Sequence, residues 1–372
     1  MTTVLRATDS VAFLGIVPAL AGFTPRNSIV LLPFHGTRTD GAMRLDLPHE
    51  QSDLDAYVDA AVGLVARVSG TDAVAVVVYT DEEANATRDG WVLPHAVAVD
   101  CVLGRAEEAG LRAVDALCVT PSGWSSYLDE DPEIRPLTQI VHPRDLPQME
   151  DLDGDQASGT ELPVIALVEQ ERVRAASVEL SALLDGAARG RLSGHESPHL
   201  ISAVVMLEDV PAFFESVLAA PDELSPFATA ALLWCLDRPL LRDVAIAQWA
   251  TDLACGVRTL DAQTAFAESG VMVPDDVGQV FLGRGPTPDA DRLRRALCVV
   301  REAAARAPHA DRPAPLTAAA WLSWALGKAT HAGRYLEMVR EIDPRYSLAA
   351  LLQTMISGAM LPEWAFRRGA SE

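Results

Sequence analysis

Lysine is almost absent from this sequence. Of the 30 Lys and Arg residues in a chain of 372, one is a lysine, Lys328. Schiff-base catalysis and P-loop phosphate binding each need a lysine at a defined place. Lys328 stands in Gly327-Lys328-Ala329-Thr330, and no glycine lies five residues before Gly327, so the P-loop spacing is missing. Basic runs are short as well: no stretch of Arg or Lys exceeds two, and the net charge is −22. Affinity for nucleic acid needs a clustered basic face. Nucleic acid and an anionic membrane surface are therefore not expected as partners.

Cysteine is sparse too. Cys101, Cys118, Cys235, Cys255 and Cys298 are odd in number, widely spaced and form no C-x-x-C pair. Reduced thiols in a reducing compartment are the expectation, hence a cytoplasmic protein. The apolar stretch from Val11 to Ala21 is short, is broken by Pro18 and lacks a small-residue cleavage site. It reads neither as a leader nor as a membrane span. No G-x-G-x-x-G follows a strand and no G-x-S-x-G elbow occurs, so no cofactor is expected.

What is present is a core. Hydrophobic residues make up 49% of the chain and charged residues 22%, enough for about two packed domains. Asp9 or Ser10 can cap a helix over Val11 to Ala21. Ser28 to Phe34 reads as a strand. Ala42 to Leu47 alternates Met43, Leu45 and Leu47 against Arg44 and Asp46, a half-buried strand that forms a hairpin with the first. Ser52 to Val68 is an amphipathic helix, Ala73 to Tyr79 a buried strand, Leu93 to Ala109 a helix and Val114 to Val119 a strand. That order implies an α/β domain over residues 1–145, with a mixed, mainly parallel sheet and flanking helices.

Residues 146–162 form an acidic linker or surface loop. Its Asp151, Asp153 and Asp155 alternate, but Leu162 stands where a calcium loop needs Glu. Residues 163–372 read as all-helical, over about 163–185, 198–219, 223–236, 239–256, 288–307, 313–327, 330–342 and 346–357. Gly327, Ala332, Leu336, Val339 and Pro344 follow the spacing of the second half of a tetratricopeptide unit, although Ser323 stands where an aromatic is usual. A single such unit makes a helical hairpin, not a solenoid.

His195-Glu196-Ser197-Pro198-His199 satisfies H-E-x-x-H, with Glu223 the one guess at a third ligand. The zinc pattern needs one continuous helix, which Pro198 breaks; a helix beginning at Pro198 fits better, and no metal is expected. The better candidate lies at the carboxyl ends of the N-terminal strands, where open α/β sheets bind ligands. Those ends present Asp46, Thr80 with Asp81, and Thr120 with Ser122, with Trp124 and Tyr127 on the loop beyond. Arg44 and Asp46, two apart, share a strand face. Arg44 can serve as an anion fork and Trp124 as a stacking plate, or the two charges are a structural pair. Asn27 and Ser28 complete the candidate set; their ordinary role is a turn bond to nearby backbone N–H groups. Arg242-Asp243, near a helix start, reads as structural, with Asp243 favouring the helix dipole.

Val17-Pro18-Ala19-Leu20-Ala21-Gly22-Phe23-Thr24-Pro25-Arg26-Asn27-Ser28-Ile29-Val30, followed by Arg44-Leu45-Asp46-Leu47-Pro48, resembles the opening of the family known as domain of unknown function 4192. Val77-Val78-Tyr79-Thr80, Trp124 to Leu128, Leu241-Arg242-Asp243, Ala320 to Trp324 and Asp343-Pro344-Arg345-Tyr346 extend the resemblance over most of the chain. Relatives often carry closely spaced cysteines after the Trp-Ser-Ser-Tyr-Leu segment; Asp129 to Leu137 has none. The resemblance implies an actinobacterial cytoplasmic protein and supplies no activity. Two functions follow as expectations. One is a non-catalytic interaction or regulatory protein, with a protein partner or a second copy docking on the helical half. The other is a small polar ligand, bound for sensing or reaction at the strand ends.

Overall fold

Two apolar runs build the centre of the N-terminal sheet. In the computed structural model, which describes residues 7–39, 41–49, 51–88, 90–142, 154–188, 197–220 and 224–367, the chain divides into two units. Residues 1–158 with 366–372 form the first, and residues 159–365 the second. The acidic run 150–153, together with His195, Glu196 and Glu223, lies outside the described residues.

In the first unit, Asp9 caps α1 (Ser10–Ala21) by accepting from the Ala12 N–H at 2.8 Å, and Gly22 at φ +78° ends it. There follow β1 (Ser28–Phe34), β2 (Met43–Asp46), α2 (Leu54–Ala66), β3 (Ala73–Tyr79), the small hairpin β4 (Asn85–Thr87) and β5 (Gly90–Val92), α3 (Ala96–Glu108), β6 (Arg112–Thr120) and β7 (Gly123–Ser126). The main sheet runs β2-β1-β3-β6-β7. Its alternate faces bury different clusters. Val30, Leu32, Val77, Leu117 and Trp124 pack with Phe13, Leu14 and Val17 of α1. Ile29, Leu31, Val76, Val78 and Cys118 pack with Val58, Val62, Val99 and Val102 of α2 and α3.

The sheet is mixed, but not mainly parallel. β1 is antiparallel to both β2 and β3, β6 to β7, and β3 with β6 is the parallel pair. The helix crossovers still set direction: β2, β3 and β6 all point the same way. The antiparallel β1 fills the gap between β2 and β3, because a hairpin places it beside β2 before the first crossover begins. Strand β7 is a further element that the alternation test does not see. It is four residues long, opens on glycine and ends on two serines.

The second unit contains, among the described residues, α4 (Leu167–Ala188), α5 (Pro198–Met206), α6 (Val210–Ala219), α7 (Pro226–Leu236), α8 (Pro239–Ala250), α9 (Leu253–Ser269), the short α10 (Asp275–Gln279), α11 (Ala290–Arg306), α12 (Pro313–Ala325), α13 (Ala329–Ile342) and α14 (Ser347–Ser357). The stretch read as one helix over 198–219 is two, because Asp209 caps a new start by accepting from the Ala212 N–H at 3.0 Å. The stretch 239–256 likewise breaks at Thr251, and Asp252 caps α9. Ser197 caps α5 with Pro198 in its first turn, as the proline predicts.

Every residue of α12 is buried, and α12 packs on α7, α8, α11, α13 and α14. A helix apolar on all sides has no solvent face to offer and belongs at a core's centre. Gly327 at φ +77° turns the chain from α12 into α13, whose Ala332, Leu336 and Val339 are buried against that core. Beneath α6, α8 and α11, Glu215 is forked by Arg292 and accepts from Gln248 at 2.8 Å, and these bonds hold its carboxyl below the usual range.

Candidate functional site

One end of the N-terminal sheet collects the polar candidates, and the strand register shows why. Asp46 pairs with Ser28, Ser28 with Tyr79, Tyr79 with Val119 and Val119 with Trp124. The row thus runs along the carboxyl ends of β2, β3 and β6 and the amino ends of β1 and β7.

At the β2–β1 corner, Arg44 donates through Nε to Ser28 Oγ at 2.7 Å and through its terminal nitrogen to Asp46. Ser28 Oγ donates onward to the Arg26 carbonyl at 2.6 Å. The Arg44 side chain is 13% exposed and that of Asp46 is 78% exposed, so the pair joins a covered cation to an open carboxylate. Tyr57 donates to the Asp46 carbonyl at 2.8 Å; burial first, then the Asp46 charge, pushes its phenol well above the ordinary range.

Next along the row, Asn27 does not make a local turn bond. Its Oδ1 accepts from the Asp81 N–H at 2.9 Å, and its Nδ2 donates to Asp81 Oδ2 at 2.8 Å. Asn27 sits at φ +43°, a left-handed conformation that asparagine tolerates better than most residues. This amide clamp fixes the start of β1 to the segment leaving β3. Arg26 lies 3.6 Å from the same carboxylate. Thr80 is buried and accepts through Oγ1 from the Glu82 N–H at 3.1 Å, which shapes the turn.

Further on, Ser122 donates to Glu83 Oε2 at 2.5 Å, while Thr120 donates to the Gly123 carbonyl at 3.0 Å. His95 stands before α3 at φ +55°, with its buried Nε2 3.7 Å from Glu82 Oε1. Glu82, Glu83 and His95 are rim residues that the sequence does not announce. They sit in the irregular chain between β3 and α3, where no periodicity marks them, and the one available signal is their position after a buried strand.

Trp124 and Tyr127 correct the expected arrangement. Trp124 belongs to β7, not to a loop, and is 3% exposed beneath Arg135, whose guanidinium carbon is 4.8 Å from its ring centroid. Four strand spacings separate β2 from β7, about 19 Å, so one small molecule cannot touch both Arg44 and Trp124. Tyr127, three residues on, lies against the opposite core cluster and donates to the Pro94 carbonyl at 2.6 Å. Burial raises its phenol beyond ordinary titration. Trp124 instead lines a shallow groove of about 500 Å³ with Asp9, Asp115, Asp129 and Arg135. The structure therefore unites Arg44, Asp46 and Ser28, places Asn27, Asp81 and Thr80 beside them, and sets Trp124 and Tyr127 apart.

Elsewhere, His199 stacks on Phe227 at 6.5 Å in the first turn of α5. Arg242 is buried, forks Asp243 and donates to Tyr346 at 3.3 Å, a structural tie between α8 and the chain before α14. Burial raises the Asp243 carboxyl despite that partner. Among the described residues no three His, Cys, Asp or Glu side chains form a group able to hold a metal. All five cysteines are unbridged, with Cys118 and Cys235 buried. No described helix is long and apolar enough to cross a membrane.

A mixed sheet with helices on both faces, followed by an all-helical unit, defines the class of chain. Its residues 12–265 and 287–363 match the family model described as domain of unknown function (DUF4192). The chain belongs to that family. No curated protein and no solved structure matches it.

Proposed function

We propose that this chain is a non-catalytic, regulatory binding protein of the actinobacterial cytoplasm that takes a small anionic ligand at the β1–β2 corner. The observation that carries this reading is the Arg44 fork, largely covered yet closed by a carboxylate that is mostly in water. Asp46 occupies the place an incoming carboxylate or similar anion would take. Exchange trades one charge-assisted pair for another, so its cost is small. Ser28 holds the guanidinium in place, and its hydroxyl proton points to a carbonyl rather than to a base. That favours binding over nucleophilic chemistry.

A thermal-shift screen of the full chain against anionic metabolites tests this reading. A ligand specific to the folded state stabilises by about 2.7 kcal/mol at a hundredfold excess over its dissociation constant. The shift is expected to vanish in Arg44→Ala and to persist in Trp124→Phe. A ligand whose shift survives Arg44→Ala would place its site elsewhere. If Arg44→Ala unfolds the chain, the pair is structural.

A second reading has the helical unit docking a protein partner or a second copy. Exposed pairs at helical spacing favour it: Ile201 and Val205 on α5, and Leu253 and Val257 on α9. Charged substitutions at these four positions are expected to abolish partner capture while leaving Arg44-dependent ligand binding intact.

A further inference from the structure

The β6–β7 edge of the N-terminal sheet carries a concavity that the Arg44 corner does not use. Asp9 at the start of α1, Asp115 on β6, Trp124 on β7, and Asp129 with Arg135 in the chain beyond line a groove of about 500 Å³. That is the size of a small-molecule site. The groove lies on the face of the sheet that α1 covers, since Trp124 packs in one cluster with Phe13, Leu14 and Val17. β2 and β7 are opposite edges of the sheet, so the two places are separate.

The lining is unbalanced in charge. Asp129 holds Arg135 at 2.8 Å. Asp9 accepts from the Ala12 N–H at 2.8 Å, and Asp115 accepts from the Ala116 N–H at 2.9 Å and from Ser10 Oγ at 2.8 Å. Those donors are neutral, and among the described residues no ion pair reaches Asp9 or Asp115. Two carboxylates therefore line the groove without a cation.

Trp124 adds an observation independent of charge. It is 3% exposed, and its indole N–H has no acceptor. A buried indole N–H ordinarily finds a partner, and leaving one unpaired is costly. The ring is held in place. The Trp124 and Arg135 backbones exchange N–H to carbonyl bonds, each 2.8 Å long, and the Arg135 guanidinium carbon lies 4.8 Å from the ring centroid. Gly123 permits that approach, because a Cβ there would stand 2.5 Å from the Arg135 carbonyl oxygen. Donors from β7 and the chain after it thus share one groove with acceptors from α1 and β6.

We propose that this groove binds a free cationic amino acid. Its two cationic groups meet Asp9 and Asp115, and its carboxylate meets the Arg135 guanidinium and the indole N–H of Trp124. Val114 and Leu128, exposed apolar side chains of the same lining, take the aliphatic stem. A bare metal cation would leave the indole N–H without an acceptor, and a simple anion would be repelled by three carboxylates. The net charge of −22 also draws cations from a distance. The assignment does not rest on an anion at the β1–β2 corner.

Calorimetric titration of the full chain with free arginine and free lysine at low ionic strength tests it. Agmatine and cadaverine, which lack the carboxylate, and norleucine, which lacks the second cation, are run beside them. One-to-one binding of a basic amino acid is expected. It should weaken about tenfold in Asp115→Asn and in Asp9→Asn, where asparagine still caps α1, the scale of one lost charge-assisted hydrogen bond. Trp124→Phe should weaken it about fivefold, and Arg44→Ala should leave it unchanged. In proton–nitrogen spectra the Trp124 indole resonance, identified by its loss in Trp124→Phe, is expected to move with the amino acid and to stay in place with the amines. Equal binding of agmatine, cadaverine or norleucine would overturn the assignment. So would absence of heat at about 10 mM amino acid, well above millimolar affinity, or binding unchanged in both aspartate variants. Should Asp115→Asn fail to fold, Asp9→Asn and the indole shift decide alone.

Discussion

In the sheet unit, charged and polar side chains gather along one strand-end row and bond to one another across five chain segments. In the helical unit, the centre is given over to the fully buried α12, and Glu215, Arg292 and Gln248 form a polar tie between α6, α11 and α8. The first arrangement is a row of polar pairs: Arg44 has Asp46, Asn27 has Asp81, Ser122 has Glu83. The second is apolar at its centre, where Trp321, Leu322 and Trp324 are buried. The two therefore differ in how the loss of a side chain should be felt.

The largest expected break in this contrast is in the helical core. Trp249 is wholly buried, meets Phe214 edge-on at 5.7 Å and donates to its carbonyl at 3.3 Å. Trp249→Ala is expected to cost about 3–5 kcal/mol, read from urea denaturation, and to unfold the helical unit while leaving the sheet unit's amide protection in place. The matching change in the sheet unit is Gly123→Ala. Its Cβ would stand 2.5 Å from the Arg135 carbonyl oxygen and 2.5 Å from Ile134 Cγ2. A loss of about 1–3 kcal/mol is expected, confined to the β6–β7 edge in hydrogen exchange.

Acid separates the units next. The folded His331 is held near 4, below the ordinary imidazole value of about 6.5. The unfolded chain therefore takes up a proton first. Stability from this group is complete above about pH 6.5 and falls as pH drops toward 4. Denaturation midpoints of the helical unit should decline across that window, and His331→Gln should flatten the decline. The smallest effect is on thiol labelling. Burial pushes the Cys118 thiol up to about 11 and Cys235 up to about 12. Both are expected to resist alkylation in the native chain, reacting after Cys101, Cys255 and Cys298, which are partly exposed.

Much of the fold was legible in the sequence. β1 and β3 are continuous apolar runs, and their ends fall where the runs end. The helices that begin at Ser10 and Pro198 carry their own cap residues, Asp9 and Ser197. What resisted reading was pairing. Nothing in Ser28 to Phe34 says that this strand, rather than β2, lies against β3, because both faces of β1 are buried and no alternation marks a free edge. Helix α9 escaped because its apolar residues form no buried stripe; of its residues, Gly256 and Thr259 are the buried ones. At the candidate site, the Arg44–Asp46 pair follows from a two-residue spacing on one strand. The separation of Arg44 from Trp124 does not, since it depends on strand order. Nor does the Asn27–Asp81 clamp, which joins residues 54 apart in the chain.

The burial of α12 also bears on how the protein is made. Helices α4 to α11 leave the ribosome first, and the element that fills the space beside α7, α8 and α11 comes after them. Until residues 313–325 are synthesised, the surfaces that will enclose Trp321, Leu322 and Trp324 are open to water. A nascent chain paused in that interval presents a large apolar surface to the cell, and chaperone capture is expected to peak there rather than during synthesis of the sheet unit.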